Sequence, residues 1–452
     1  MGLPLFDRFL APSEAAASFD DVALIQAMFD FEAALARAQA AEGMIPASSA
    51  VAISSVCKAE LYDLNALVDA STRAGSLAIP LVKQLTHTVS LYSAEASSVV
   101  HKGSTSQDVQ DTAMALCTKR SLRGLDVALG RLIASLLELA EQHADTPVLA
   151  RTLMQPAQVT SFGLKILNWT APIVRCRARL REAASRGLAL QLGGAIGTQA
   201  GLGSHAGAVS RHMADALGLA LPASPWHTQR DEWLRVATEA AVLAGCLGKI
   251  GTDLSLLAQA EVGEVSEPAA PGRGGSSAMP HKRNPVGALV ALAAAQRTPH
   301  RIAALLGAMG QQHERGLGTW QAELAEWPGL FIDVHASALA LADVFAAPDV
   351  HVGRMRRNID ALHGLVFAES AAALLAPVVG KARAHALLEQ LSGEAAREGR
   401  PLEALMLGAV EADPVLRKAV SAADVQRAFD PQVALAAARR QFDERLPALR
   451  AP

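Results

Sequence analysis

Asp108 to Ala144 reads DVQDTAMALCTKRSLRGLDVALGRLIASLLELAEQHA, and within it Leu122, Leu125, Leu129, Leu132, Leu136 and Leu139 return at alternating intervals of three and four. That spacing lays a narrow apolar seam along one side of a long helix. The same rhythm recurs at Trp233, Val236, Ala240, Leu243, Leu247, Ile250, Leu254 and Leu257, and a third long apolar helix is predicted from Pro285 towards Gly310. Helices of this kind pack lengthwise. Their seams, with Gly245, Gly248 and Gly251 permitting close approach, exceed what a bundle within one chain needs, so a homo-oligomer sharing a helical core is expected. A monomeric elongated bundle is the alternative.

Composition agrees with the seam. Of 452 residues, 51% are hydrophobic but only 4% aromatic, and an Ala- and Leu-rich chain so poor in sheet formers is predicted to be all-α. Leu24, Met28, Phe31 and Leu35 mark an early helix behind the cap region Ser18 to Asp21, ended by Gly43 and Pro46. Shorter helices broken at Pro377, Pro401 and Pro414 follow Pro348. The reading divides the chain into an N-terminal helical domain (1–104), a central long-helix domain (105–347) and a C-terminal helical domain (348–452).

A net charge of −3, from 41 basic and 44 acidic residues, gives no bulk field to recruit nucleic acid or anionic lipid. Cys57, Cys117, Cys176 and Cys246 lie far apart in sequence, with no disulfide or metal-ligand spacing, as expected in a reducing cytoplasm. The start MGLPLFDRFLAPSE lacks a signal-peptide pattern, and apolar runs such as Val286 to Ala295 are too short to cross a bilayer, so no membrane association is expected.

Four polar clusters precede predicted long helices: Ser104 to Asp108, Arg151 to Pro156, His227 to Asp231, and His281 to Pro285. In the first and third a Thr stands three residues before an Asp, a capping-box spacing. In the second and fourth a Pro occupies a first helical position. Any one of these could simply be a good cap. Four converging on a cleft would aim unpaired N–H groups at carboxylates, with Thr105, Ser106, Gln155 and Thr228 as neutral donors. The implied ligand is a small polyanion.

Between Glu261 and Pro285, Gly272, Gly274 and Gly275 with Pro268, Pro271 and Pro280 predict a loop able to close over a ligand. A disordered linker would not need its dense polar set, Ser276, Ser277, His281, Lys282, Arg283 and Asn284. The loop lacks P-loop spacing and a preceding strand, and no GxSxG elbow exists for a serine hydrolase. His101, His227, His281 and His313 fall in or near these segments, but without an HExxH or Cys/His cluster no metal is predicted.

GSSAMPHKRNP, Gly275 to Pro285, resembles the GSSxMPxKxN signature of the fumarase/aspartase superfamily. TSQD at Thr105 resembles its first signature region, RTLMQPA at Arg151 its second, and FEAALARAQAAEGMIP from Phe31 its first helix. LALQLGGAIGTQAGLG from Leu188, PWHTQRDEW from Pro225 and EVGEVSEPAAPGRGG from Glu261 are most similar to its bacterial cycloisomerase branch. The resemblance implies a central bundle of long helices in a homotetramer, with each active site built from signature regions of three subunits and no cofactor.

For activity, the resemblance implies intramolecular addition of a carboxylate to a conjugated double bond of a tricarboxylic muconate, closing a lactone through an aci-carboxylate. Ser276 would exchange the proton, with Ser277 still open. Lys282, Asn284 and the helix after it would meet the developing charge, and Arg315 and Arg230 would hold further carboxylates. His101, Thr105, Ser106, Gln107, Arg151, Gln155, His227, Gln229, Ser277 and Met279 complete the expected substrate contacts. One departure steers the reading: many members have GRTH in the second region with a His in acid/base work, where Leu153 stands here. A fumarate-releasing lyase and a helical protein without activity are the other readings.

Overall fold

The computed structural model describes residues 4–450. Among the described residues six helices exceed twenty residues and are labelled α1 (Asp21–Ala41), α2 (Ser106–Gln142), α3 (Phe162–Gly187), α4 (Asp231–Leu257), α5 (Val286–Gly307) and α6 (Thr319–Phe345). The strands are few: β1 (Pro147–Thr152) pairs antiparallel with β2 (Gln155–Ser161), and β3 (Val265–Ser266) with β4 (Asp349–Val350). The chain forms two compact units. One comprises residues 1–130, 175–248 and 289–341, the other 131–174, 249–288 and 342–452, and each boundary falls within one of α2 to α6.

In the first unit α1 is nearly buried all round, which its Ala-rich sequence permits. Asp20 starts it as N-cap, its carboxylate accepting from Ala23 N at 2.7 Å. The predicted seam of α4 is realised: Val236, Ala240, Leu243 and Leu247 are all fully buried. Gly248 lets α4 approach α5 so closely that a Cβ there would collide with Ala295, whereas around Gly245 there is open space. Trp233 stacks on Trp327 of α6 with ring centroids 3.8 Å apart. Both α4 and α6 are long and apolar enough to cross a membrane, unlike the runs read from sequence. Yet 78% of the apolar window of α6 is buried inside the protein, where that surface is used in packing.

In the second unit the C-terminal helices enclose a core of residues such as Leu375, Leu388, Leu402, Met406 and Val425, to which the β1–β2 hairpin contributes Leu149 and Val159. That hairpin corrects the expectation of a helix start at Pro156: Pro156 is paired opposite Arg151 in a strand, and α3 begins only at Phe162. Proline is tolerated at such a strand edge, where its missing N–H is not needed. Leu153 and Met154 form the two-residue turn, both at positive φ (49° and 66°) and both exposed. A two-residue turn that follows the strand twist requires that conformation. Further along, Pro377 lies inside the helix Ala368–Val379, which ends at Gly380, while Pro401 and Pro414 do stand at helix starts.

Candidate active site

In the first unit the start of α2 carries Asp108 and Asp111, three residues apart and therefore on one face, and that face is fully buried. Asp108 accepts from Gly193 N and Gly194 N, each at 2.9 Å, from Thr105 N at 3.0 Å and from His227 Nε2 at 2.7 Å. The bond to Thr105 is one half of the predicted capping box. The other predicted box is absent, because Asp231 is the first residue of α4 and not its third.

Asp111 and Glu323 clamp Arg230. Its Nη1 donates to Asp111 at 2.9 Å, its Nε to Glu323 at 3.1 Å and its Nη2 to both carboxylates. The guanidinium also lies 4.5 Å from the Trp226 ring centroid, and Trp320 Nε1 and Trp233 Nε1 donate to the two acids. Burial alone would lower the Arg230 pKa, but the two carboxylates outweigh it and raise it; burial raises that of Glu323. The sequence suggested Arg230 as a substrate ligand; the structure places two of the protein's own carboxylates on it. At 1% exposure its donors are already used by the protein.

Arg315 is different. Its Nη1 donates to Thr105 Oγ1 at 2.8 Å, its Nη2 to Ser106 Oγ at 2.9 Å and its Nε to Gln107 Oε1 at 3.3 Å. All three acceptors are neutral, so the guanidinium is oriented without being neutralised. Gln107, fully buried, joins this group to the Asp108 cluster by donating to the His227 carbonyl at 2.9 Å. His101 precedes it in a left-handed conformation, φ 59°. The structure therefore brings together His101, Thr105, Ser106, Gln107, His227 and Arg315, while Gln229 beside them is exposed.

In the second unit the segment Gly274 to Asn284 closes on itself: Asn284 N donates to Gly274 O at 2.8 Å. Gly274, at φ 66°, has no room for a Cβ against the Asn284 carbonyl. Inside this neck Ser276 Oγ accepts from Met279 N at 3.1 Å and Ala278 N at 3.4 Å. Ser277, Met279 and Lys282 are exposed.

The helix that follows is not open to a ligand in the way expected. Glu267 caps it, accepting from Gly287 N at 3.0 Å and Ala288 N at 2.9 Å, and also takes Arg273 Nη2 at 3.2 Å. Arg151 is likewise engaged. It pairs in bidentate fashion with the fully buried Glu264, at 2.8 and 3.0 Å, and Asn358 Nδ2 donates to the same acid at 2.7 Å. Arg151 ties the hairpin to the chain entering the loop, while Gln155 and Leu153 stand exposed at the hairpin's end.

The residues that the sequence reading missed are mostly these supporting acids, Asp111, Glu264, Glu267 and Glu323, together with Glu32, whose carboxylate lies 2.6 Å from His101 Nδ1. Glu264 and Glu267 stood in the quoted run before the loop; nothing local distinguished Glu323. Among the described residues no group of three His, Cys, Asp or Glu side chains is placed to hold a metal ion.

The family model described as "Lyase" matches residues 12–298. A 3-carboxy-cis,cis-muconate cycloisomerase of Bradyrhizobium diazoefficiens is 43% identical, over 99% of this chain and 98% of that protein. One from Pseudomonas aeruginosa is 46% identical over 89% and 88%. The crystal structure of the 3-carboxy-cis,cis-muconate lactonizing enzyme from Pseudomonas putida superposes with a TM-score of 0.92, at 41% identity over 98% of each chain.

Proposed function

We propose a reaction from one premise: the chain belongs to the lyase family, the fumarase/aspartase superfamily, along most of its length. It is a cycloisomerase that converts 3-carboxy-cis,cis-muconate to 4-carboxymuconolactone, in the protocatechuate branch of the beta-ketoadipate pathway. The observation that carries this reading over a fumarate-releasing lyase is the hairpin tip. Leu153 is 97% exposed there, an apolar side chain with no proton to transfer, where many members hold a histidine.

One carboxylate oxygen of the substrate attacks a conjugated carbon, and the double-bond electrons move onto a neighbouring carboxylate, giving the aci-carboxylate. Protonation of the adjacent carbon completes the lactone. Charge builds up on the carboxylate, so cations placed there in advance lower the barrier. Arg315, oriented by neutral oxygens, and the exposed Lys282 fit that task. Asn284 supplies a side-chain amide beside the loop neck.

Ser276 is the stronger proton-exchange candidate of the two serines. A serine hydroxyl is a weak acid or base unless its oxyanion is stabilised, and Ser276 Oγ already accepts two backbone N–H groups. The loop, the hairpin and the start of α2 belong to different subunits of a cytoplasmic homotetramer. The half-buried apolar window of α4 and the open space at Gly245 support a shared helical core.

Loss of the diene absorbance of 3-carboxymuconate is the direct assay, with fumarate release from succinyl adducts followed in parallel. Lactone formation is expected; fumarate release without it would replace the reading with a lyase. Ser276→Ala should lower kcat by about 10²-fold or more with KM little changed, and a variant with near-normal kcat would remove the serine from the mechanism.

A further inference from the structure

The turn that leads into α2 is held from behind by α1. Glu32 and Gln39, seven residues apart and so on one face of α1, both reach it. Glu32 Oε1 lies 2.6 Å from His101 Nδ1, and Gln39 Nε2 donates to the Lys102 carbonyl at 2.6 Å. Glu32 is 1% exposed, and its second oxygen is buried without a partner among the described residues.

A buried carboxylate with an orphan oxygen is an expensive way to anchor a turn. An amide would anchor it without charge, as Gln39 does next door, where one oxygen is likewise left without a partner among the described residues. The backbone also resists: a non-glycine residue in the left-handed region costs about 1–2 kcal/mol, and His101 occupies it. Strain and a buried carboxylate oxygen left without a partner at the same contact point to a functional demand on the ring.

We infer that Glu32 is a positioning residue for substrate binding: its buried carboxylate fixes the His101 ring at Nδ1 so that Nε2–H is the donor left for a carboxylate of the substrate. The inference rests on the reading of a tricarboxylate substrate given above. Ser104 Oγ lies 2.9 Å from the same Nδ1, so both contacts fall on one nitrogen and Nε2 has no partner among the described residues. With Nδ1–H committed to Glu32, Nε2 donates only in the imidazolium form, which the carboxylate favours.

The charged surroundings agree. Burial lowers the His101 pKa, but Glu32, and more weakly Asp108 of α2, raise it overall. Arg315 acts from the other side of the segment, on Thr105 and Ser106, and Lys102 turns its ammonium to the Met44 carbonyl. His101 in this segment and Arg315 bonded to Thr105 and Ser106 a few residues further on thus offer two cationic donors suited to two carboxylates of one ligand.

The test compares Glu32→Gln, His101→Gln and the double variant as intact assemblies, with folding checked by thermal unfolding. In Glu32→Gln, KM for 3-carboxymuconate should rise about tenfold with kcat less affected, and the alkaline limb of kcat/KM should move to lower pH. His101→Gln should abolish that limb, and the double variant should be no worse than His101→Gln alone. An unshifted limb in Glu32→Gln, or additive losses in the double variant, would overturn the proposal.

If Glu32→Gln fails to fold, competition by propane-1,2,3-tricarboxylate in the wild type and His101→Gln decides. Binding that weakens above the His101 pKa only in the wild type supports the inference, and identical pH dependence refutes it. A wild-type protein that binds this tricarboxylate but does not turn over the muconate would discard the cycloisomerase reading while leaving the Glu32 test intact, read as binding.

Discussion

Replacing Glu267 with alanine removes the carboxylate that closes the start of α5. The side chain makes two backbone contacts, at 2.9 and 3.0 Å, and one to Arg273 at 3.2 Å. Loss of an N-terminal cap costs about 0.5–2 kcal/mol, and loss of a negative charge at a helix N-terminus about 0.3–1 kcal/mol more. A central figure of about 2 kcal/mol corresponds to roughly a 30-fold larger opening constant for the first turn of α5. Hydrogen–deuterium exchange followed by mass spectrometry on peptides covering 286–290 would measure it. Glu267→Gln keeps one acceptor oxygen and should give a smaller change. Because the Glu267 carboxylate also accepts from Arg273 Nη2, at 3.2 Å, the same side chain ties down the chain entering the Ser276 loop, and kcat should fall in the alanine variant, while the Arg283 bond to the backbone carbonyl of residue 267 is retained. Unchanged exchange at Gly287 and Ala288 would refute the capping argument, whatever happened to activity.

Arg230→Met leaves Asp111 and Glu323 buried without their cation and should destabilise by about 3–5 kcal/mol, read as a lower urea midpoint. A variant that kept its stability and only raised KM would restore Arg230 as a substrate ligand. His335 is 2% exposed, with both ring nitrogens unpartnered among the described residues, and burial lowers its pKa from 6.5. The unfolded chain then takes up the proton first, so this contribution to stability is complete above pH 6.5 and is lost as the pH falls below it; His335→Leu should flatten the fall in urea midpoint between about pH 7.5 and 5.5. Gly248→Ala should destabilise by about 1–3 kcal/mol through overpacking against Ala295. Gly245→Ala meets nothing within 4 Å, so a shift in sedimentation coefficient would place that face in a subunit interface, and a monomeric wild type would end the tetramer reading.

The long helices could be read because their signal is periodic and local. α2 and α4 begin and end within two residues of the predicted limits, and every residue of the α4 seam is buried. The hairpin could not be read that way. Its turn is Leu-Met, without the Asn-Gly signal that marks left-handed turns, and Pro156 looked like a first helical residue. Cys176 and Cys246 illustrate the other limit: seventy residues apart in sequence, their sulfurs lie 3.8 Å apart on α3 and α4. Contact between distant segments leaves no periodicity to detect.

The same limit applies to the arginines expected at the site, and the fold supplies a rule for telling them apart. Arg151, Arg230 and Arg315 look alike in sequence, since each is a guanidinium expected to contact the substrate. The fold separates them by their partners. Arg230 meets acids 119 and 93 residues away, and Arg151 meets Glu264, 113 residues away; each pair satisfies the guanidinium inside the protein. Arg315 meets only hydroxyl and amide oxygens, which fix its direction and leave its charge uncompensated. A buried cation with its own carboxylate shapes a site, because separating the pair costs more than a solvated ligand returns. A cation oriented by neutral groups has already lost the freedom that binding would restrict, and it gains the full charge-assisted bond when an anion arrives. By that criterion Arg315 is the one of the three arginines whose charge is left for a ligand, while the acids around Arg151 and Arg230 hold those two in place.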